Sequence, residues 1–223
     1  MERALRHKVL VTIMSCLALL MSPTVGRAQV IAVPGNAFPI GGTLLTFNGL
    51  PDGLDVNGLM LGGFVFAYSL GNGHVVIDGG PGITNNVAPQ NAVSIGNPLG
   101  IFTLTLPGVF DMFGFGYALL TVGTVTNATT ITAFNGATNL GSVSFPGSND
   151  PQFTGGFAGI QSGTPFNRVQ FMFAGVAPAF AFDNVRANAA ANLSTIPEPS
   201  TNLLIGAGLV AIAGITRRRR KLA

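Results

Sequence analysis

The stretch Arg168-Val169-Gln170-Phe171-Met172-Phe173 has a β-branched or aromatic apolar side chain at every second position. Successive side chains of a β-strand point to opposite faces, so the alternation places Val169, Phe171 and Phe173 on one face. A strand with one apolar face packs on a core on that side and contacts solvent on the other. The hexapeptide therefore predicts a half-buried strand of an antiparallel sheet.

Further short β-type runs lie on both sides of this strand, separated by clusters of glycine, proline, asparagine and aspartate. The predicted strands span residues 43–48, 64–69, 74–77, 101–106, 112–122, 130–134, 142–145, 157–160, 168–173 and 180–186. No amphipathic helical pattern lies between them, and residues 29–196 contain neither lysine nor glutamate, both common on helix surfaces. Many short strands at this spacing predict an all-β fold, a β-sandwich of jelly-roll type.

The charged residues are distributed unevenly along the chain. Nine of the eleven lysines and arginines lie in the first 28 or the last seven residues. The part between them keeps Arg168 and Arg186 against six aspartates, which gives it a formal charge of −4. A nucleic-acid surface needs a basic stripe, so this composition excludes nucleic acid as a partner. Since the single cysteine is Cys16, the same part has no disulfide and no cysteine metal ligand.

Residues 1–28 have the layout of a secretory signal peptide. Basic residues precede an apolar run over residues 9–21, and Gly26-Arg27-Ala28 offers the small residues that signal peptidase requires for cleavage after Ala28. The run is shorter than the ~20 residues that a membrane span needs, which favours cleavage over an uncleaved anchor. Acylation of Cys16 is a further alternative, but the apolar run continues past it.

Three blocks follow one another towards the C-terminal end. They are Pro197-Glu198-Pro199, an apolar run over residues 203–215, and the basic cluster Arg217, Arg218, Arg219, Arg220 and Lys221. Because no charge interrupts the run, we predict a transmembrane helix over about residues 201–216. The basic cluster should stay in the cytoplasm, which leaves the preceding domain outside that membrane. A small surface helix is the alternative, but apolar residues occupy every face of the run.

This tail resembles the PEP-CTERM sorting signal of Gram-negative bacteria, which has the same three blocks in the same order. The resemblance implies that an exosortase, a membrane-embedded transpeptidase-like enzyme, recognises Glu198 between its two prolines and cleaves near the motif. It also implies an exported protein that is first anchored in the inner membrane and then reaches the cell surface or the extracellular matrix. The predicted organisation is a signal peptide over residues 1–28, a β-sandwich over 29–192 and the sorting tail over 193–223.

Parts of the predicted domain resemble surface domains that are similar to carbohydrate-binding jelly rolls. These parts are residues 47–53, 131–136 with 140–143, and 180–186. In that family an aspartate of the closing strand often helps to hold a structural calcium ion, and Asp183 is the matching position. Asn48 stands where the family commonly has an acidic residue in the first strand. The alternative is that Asp183 accepts hydrogen bonds from backbone amides at a strand end, so no residue is assigned as a metal ligand.

Few residues could support catalysis or sugar stacking. His74 and Asp78 lie four residues apart on a predicted strand and could share a face, but no nucleophile elbow, histidine metal pair or glutamate pair accompanies them. Sugar rings stack on exposed aromatic side chains, and Tyr68 and Tyr117 are the candidates in a chain without tryptophan. We therefore expect a non-enzymatic surface or matrix protein. The alternatives are a carbohydrate-binding module that acts on exopolysaccharide and an unrecognised hydrolase.

Overall fold

The computed structural model describes residues 30–96, 99–150 and 152–190. Its strands are β1 (Val30–Ala32), β2 (Thr43–Leu45), β3 (Met60–Leu61), β4 (Phe64–Tyr68), β5 (Val75–Asp78), β6 (Asn91–Ser94), β7 (Phe102–Leu119), β8 (Val125–Asn135), β9 (Thr138–Asp150), β10 (Phe153–Phe173) and β11 (Phe180–Ala189), with a 3₁₀ turn over Gly35–Ala37. Across these ranges, no helix has the length and apolar character to cross a membrane. The predicted signal peptide, its cleavage site and the three blocks of the tail lie outside the described residues.

The two longest strands, β7 and β10, run antiparallel at the centre of the sheet. Their register shifts twice between Gln161 and Arg168, and residues 106–109 of β7 have no partner on β10. Pro107 and Pro165 lie in these stretches, where the missing N–H of proline removes a ladder hydrogen bond. The interruption divides each strand into two halves with different neighbours. One pair of halves is flanked by β4 and β8, the other by β11 and β1.

These halves belong to two layers that face each other across an aromatic core. The first layer contains β3, β4, β8, most of β9 and residues 102–105 and 168–173, and the second contains β1, β2, β5, β6, β11 and residues 110–119 and 154–161. The ring of Phe115 in the second layer lies 4.6 Å from that of Phe171 in the first, and the Phe182 ring lies 5.0 Å from that of Phe102. The domain is therefore a jelly-roll-like β-sandwich made from one folded sheet.

A cluster of buried aromatic rings stabilises the domain. Phe66, Phe102, Phe171 and Phe182 are buried, and the Phe182 ring contacts the other three in edge-to-face or stacked pairs. Burying one phenylalanine side chain stabilises a fold by about 1.5–3 kcal/mol. Each favourable ring pair adds about 0.5–1.5 kcal/mol. A domain without disulfides can reach marginal stability from a core of this kind.

The all-β prediction is confirmed, and so is the alternation over residues 168–173, since Val169, Phe171 and Phe173 are buried. Two pairs of predicted strands are each a single strand in the structure. Residues 101–106 and 112–122 fall mainly in the single strand β7, and residues 157–160 and 168–173 fall in β10. Pro107 and Pro165 lie between the predicted strands of each pair and interrupt pairing there without ending the strand. The short strands β1, β3 and β6 were not predicted, because two to four residues carry too little alternation to be recognised.

Candidate functional site

Residues 79–90, here called the covering loop, pack on the outer face of the second layer. Gly116 of β7 makes this packing possible, because a Cβ atom at that position would overlap the carbonyl oxygen of Asn86. Val87 is buried there against small apolar side chains of β7 and β11. The side-chain amide of Asn85 donates a 2.9 Å hydrogen bond to a carbonyl of β10. The loop is thus fixed to three strands of this layer.

Asp183 of β11 lies beneath the covering loop with 1% of its surface exposed. Its Oδ2 accepts a 3.3 Å hydrogen bond from the backbone N–H of Ala88. Its Oδ1 has no hydrogen-bond partner among the described residues. Burial raises the pKa of Asp183 to about 6, although the nearby amides of Asn184, Ala88 and Phe47 favour the charged form. The carboxyl group therefore titrates in mildly acidic solution.

Asn91 of β6 stands opposite Asp183 on the neighbouring strand. The ladder pairs Phe182 with Ala92, and continuing this antiparallel register by one residue brings Asp183 beside Asn91. Opposite Cβ atoms in such a pair are about 5 Å apart. Asn91 is fully buried, and its Nδ2 donates a 3.1 Å hydrogen bond to the Ala88 carbonyl. Its Oδ1, like that of Asp183, has no partner in the described part of the chain.

Two buried acceptor oxygens on opposite residues are costly unless a proton, a water molecule or a cation satisfies them. The calcium ion that the jelly-roll resemblance implies fits this chemistry, because calcium binds carboxylate and amide oxygens. Asp183 and Asn91 would hold it, and a bound ion would supply the positive charge that both oxygens lack. Asn48 is exposed. The described ranges contain no cluster of three or more acidic, histidine or cysteine side chains, so carbonyls or water would complete the coordination.

A groove with a volume of about 500 Å³ opens beside the covering loop, and we call it the Arg186 groove. It is lined by Pro34, Gly35, Asn36, Asn86, Phe157, Asn184 and Arg186. The amide of Asn184 donates a 2.7 Å hydrogen bond to the Asn86 carbonyl, which ties the covering loop to β11. Asn86 and Asn184 have φ angles of 64° and 52°, a left-handed conformation that asparagine tolerates better than most residues.

Arg186 forms one side of this groove and is half-buried. Its Nη1 donates a 3.0 Å hydrogen bond to the Gly35 carbonyl, and its Cζ lies 5.8 Å from the centre of the Phe157 ring. Gly114 of β7 leaves room for that ring, because a Cβ at Gly114 would come within 2.8 Å of the ring's Cζ. No described carboxylate forms an ion pair with Arg186. The groove thus combines an aromatic wall, side-chain amides and a cation that has no acidic partner among the described residues.

Arg168 repeats part of this arrangement on the outer face of the first layer. Its Cζ lies 4.1 Å from the centre of the Phe134 ring, and its Nη2 donates a 3.0 Å hydrogen bond to the Gly136 carbonyl. It also has no ion pair with a described carboxylate. Its neighbours on β8 and β9 are hydroxyl side chains that bond in pairs, such as Thr132 with Ser142 at 2.8 Å. Arg168 does not line the Arg186 groove.

The remaining residues singled out from the sequence do not form a site together. His74 and Asp78 are exposed, and no hydrogen bond joins them within the described residues. Asp78 instead accepts a 3.2 Å hydrogen bond from Gly80 N–H. Tyr68 and Tyr117 are buried, and their hydroxyl groups bond to Gly100 N–H and the Pro146 carbonyl. Neither tyrosine presents a face on which a sugar could stack.

The comparisons with known proteins identify the tail. Residues 195–221 match the PEP-CTERM protein-sorting motif. The chain therefore carries this motif, which marks an exported protein that an exosortase processes at the membrane. This agrees with the prediction from Pro197-Glu198-Pro199 and the blocks that follow. A search of curated protein sequences found no match.

Two solved structures are similar to this chain, both of them mutants of CBM29-2 that were used to probe ligand recognition by family 29 carbohydrate-binding modules. The first is 13% identical, covers 72% of this chain and 92% of its own, and has a TM-score of 0.34. The second is 15% identical, covers 56% of this chain and 92% of its own, and has a TM-score of 0.31. Likeness at this level carries no argument about function.

Proposed function

We propose that this chain is a non-enzymatic component of the bacterial cell surface or extracellular matrix. The observation that supports the proposal is the sorting motif over residues 195–221, which directs an exported protein to an exosortase. An acidic, disulfide-free β-sandwich precedes the motif. In this proposal the sandwich is the functional cargo, and the tail serves only to deliver it.

Delivery would proceed from the membrane outwards. The signal peptide starts translocation, and the apolar run with its basic cluster stops it, which leaves the sandwich outside the inner membrane. The two prolines restrict φ and disfavour helix in the residues before them, so Glu198 would be presented in an extended segment. Exosortase cleavage near this segment would then free the sandwich for transfer to the surface or matrix.

The proposal is tested by the mass and location of the exported protein in cells with and without Glu198→Ala. We expect the wild-type protein to lose the tail and the variant to keep it, with the variant retained in the inner membrane. Ser200→Ala is the matched control, because it changes a neighbouring side chain without removing charge. A wild-type protein that keeps residues 197–223 would show that the chain is a membrane-anchored protein and would overturn the proposal.

A hydrolase built on His74 and Asp78 is the enzymatic alternative, and the exposed, unconnected positions of these residues argue against it. An activity screen of the exported protein across glycoside, ester and peptide substrates tests this point. Turnover that disappears in His74→Ala would overturn the non-enzymatic proposal. We expect no turnover above that of a buffer control.

Carbohydrate binding is a second candidate function, and the Arg186 groove is the observation that favours it. The groove offers amides for hydrogen bonds and an aromatic wall for the apolar face of a sugar. Because Tyr68 and Tyr117 are buried, binding through tyrosine platforms is not part of this candidate. Binding would connect the delivered sandwich to exopolysaccharide.

A further inference from the structure

We propose that the Arg186 groove binds an acidic sugar residue of an extracellular polysaccharide through the carboxylate of that sugar. The inference rests on the proposed surface or matrix role, which brings the sandwich into contact with such polymers. Its basis is the chemistry of one cation, one ring and a set of amides that four separate segments bring together.

The cation is the first step of the argument. The part of the chain between the predicted targeting segments has two arginines and six aspartates, yet Arg186 pairs with none of these aspartates. Its guanidinium has five N–H donors, and the structure accounts for one of them, at the Gly35 carbonyl. The remaining donors suit a carboxylate, which guanidinium groups bind in a bidentate manner.

The second step is the rest of the groove. Phe157 packs edge-on against Phe38 at 5.7 Å and stays half-buried, so its ring provides a fixed apolar wall. Asn36, Asn86 and Asn184 supply amide groups around it. A sugar ring has apolar C–H faces and polar edges, which match such a wall and rim. An acidic peptide would use the cation and would pair its backbone with the amides, but its aspartate or glutamate side chains offer no ring face to the Phe157 wall.

The third step concerns the negative charge of the domain, which disfavours acidic ligands at long range. At physiological ionic strength, interactions between exposed charges are largely screened beyond about 8 Å. A guanidinium inside the groove acts on a bound carboxylate at hydrogen-bond distance, where screening is weak. Contact with Arg186 therefore outweighs the long-range field of the exposed aspartates Asp52, Asp78 and Asp150.

The test measures binding of trigalacturonate and of its methyl ester to the protein purified from the cells that export it. We expect the acid to bind at least about tenfold more tightly than the ester, because esterification removes the charge but keeps the sugar rings. Arg186→Gln should weaken binding of the acid by at least about tenfold, and Arg186→Lys should restore part of it.

Arg168→Gln is the matched control, since it removes the same charge from a second arginine that lies over a phenylalanine outside the groove. We expect it to leave binding unchanged. Thermal melting of each variant shows whether a loss of binding comes from unfolding. If Arg186→Gln unfolds, Asn36→Ala tests the groove while both arginines are kept.

Several results would overturn the inference. They are absence of trigalacturonate binding, equal binding of acid and ester, equal loss in the two glutamine variants, or binding of triglutamate as tight as that of trigalacturonate. None of these would affect the processing result with Glu198→Ala. Conversely, a tail that is never removed would contradict the proposed function and leave the binding data intact.

Discussion

The two outer faces of the sandwich each carry one arginine over one phenylalanine, but they differ in what surrounds it. Arg186 lies beside the covering loop, which can pack on the sheet because Gly116 has no side chain, and a groove forms between them. Arg168 lies near a flat ladder of hydroxyl side chains. The cation and the ring are therefore not enough to make a site. The difference is that the second layer accepts the covering loop and the first does not.

The largest difference between the two faces is expected in how the free energy of unfolding depends on pH, because Asp183 is buried under the covering loop. In the metal-free protein the folded-state pKa of about 6 lies above the ordinary value of 3.8. The folded state then binds the proton more tightly than the unfolded state does. The contribution of Asp183 to the free energy of unfolding is therefore greatest below about pH 4 and is lost as the pH rises to about 6. The loss should reach about 3 kcal/mol.

Denaturant unfolding from pH 4 to 7, with chelator present, measures how the free energy of unfolding falls with pH. Asp183→Asn should remove most of this fall. Asp111→Asn is the control, since Asp111 is less buried and accepts a hydrogen bond from the Asn188 amide at 3.0 Å. A stability that rises over this pH range in the metal-free wild type, after correction with the Asn variant, would contradict the assignment.

Calcium should produce the next largest effect, again confined to the covered face. If the oxygens of Asp183 and Asn91 hold the ion in the native state alone, calcium at 100 times its dissociation constant stabilises the domain by about 2.7 kcal/mol. Thermal melting with calcium and with chelator measures the shift. Asn91→Leu fills the site without an oxygen ligand and should abolish the difference. An unchanged melting temperature of the wild-type protein would show that the domain does not bind calcium in its native state.

A moderate effect is expected from adding a methyl group beneath the covering loop. Gly116→Ala forces its Cβ against the Asn86 carbonyl, and overpacking of this kind costs about 1–3 kcal/mol. Gly156→Ala is the control within the same layer, because a Cβ there meets no atom within 4 Å. Chemical denaturation should separate the two variants. Equal stability would show that the loop moves freely away from the sheet.

The smallest effect is expected on the open face. Thr132→Ala removes the exposed hydrogen bond to Ser142, and exposed substitutions of this kind usually change stability by less than about 0.5 kcal/mol. Neither the pH slope nor the calcium shift should change in this variant. A loss comparable to that of Gly116→Ala would mean that the ladder contributes to the sandwich as much as the covered face does.

The sequence predicts the sheets far better than the site. Alternation in residues 168–173 is sufficient to orient a strand, because burial of one face imposes a period of two. Asp183 could also be singled out, since its motif resembles a known family. Asn91 and Phe157 could not be singled out from the sequence. Their roles arise only because strand pairing places Asn91 beside Asp183 and the fold places Phe157 beside Arg186. A lone asparagine or phenylalanine gives no local sign of such neighbours.

Gly114 and Gly116 illustrate the same limit. In the sequence they alternate with aromatic residues and indicate only a strand of low side-chain volume. Their importance comes from the ring of Phe157 and the carbonyl of Asn86, which approach from segments about 30 to 40 residues away along the chain. Close approach between distant segments is a property of the fold, and local sequence patterns do not record it.

The position of β11 has a mechanical consequence for a protein that carries a sorting motif after this strand. This last strand lies inside the sheet, between β7 on one side and β6 and β2 on the other. A pull on residue 190 along the strand therefore loads two ladders in shear, and rows of backbone hydrogen bonds must yield together rather than one at a time. The sandwich is built to bear tension at the end where the sorting tail begins.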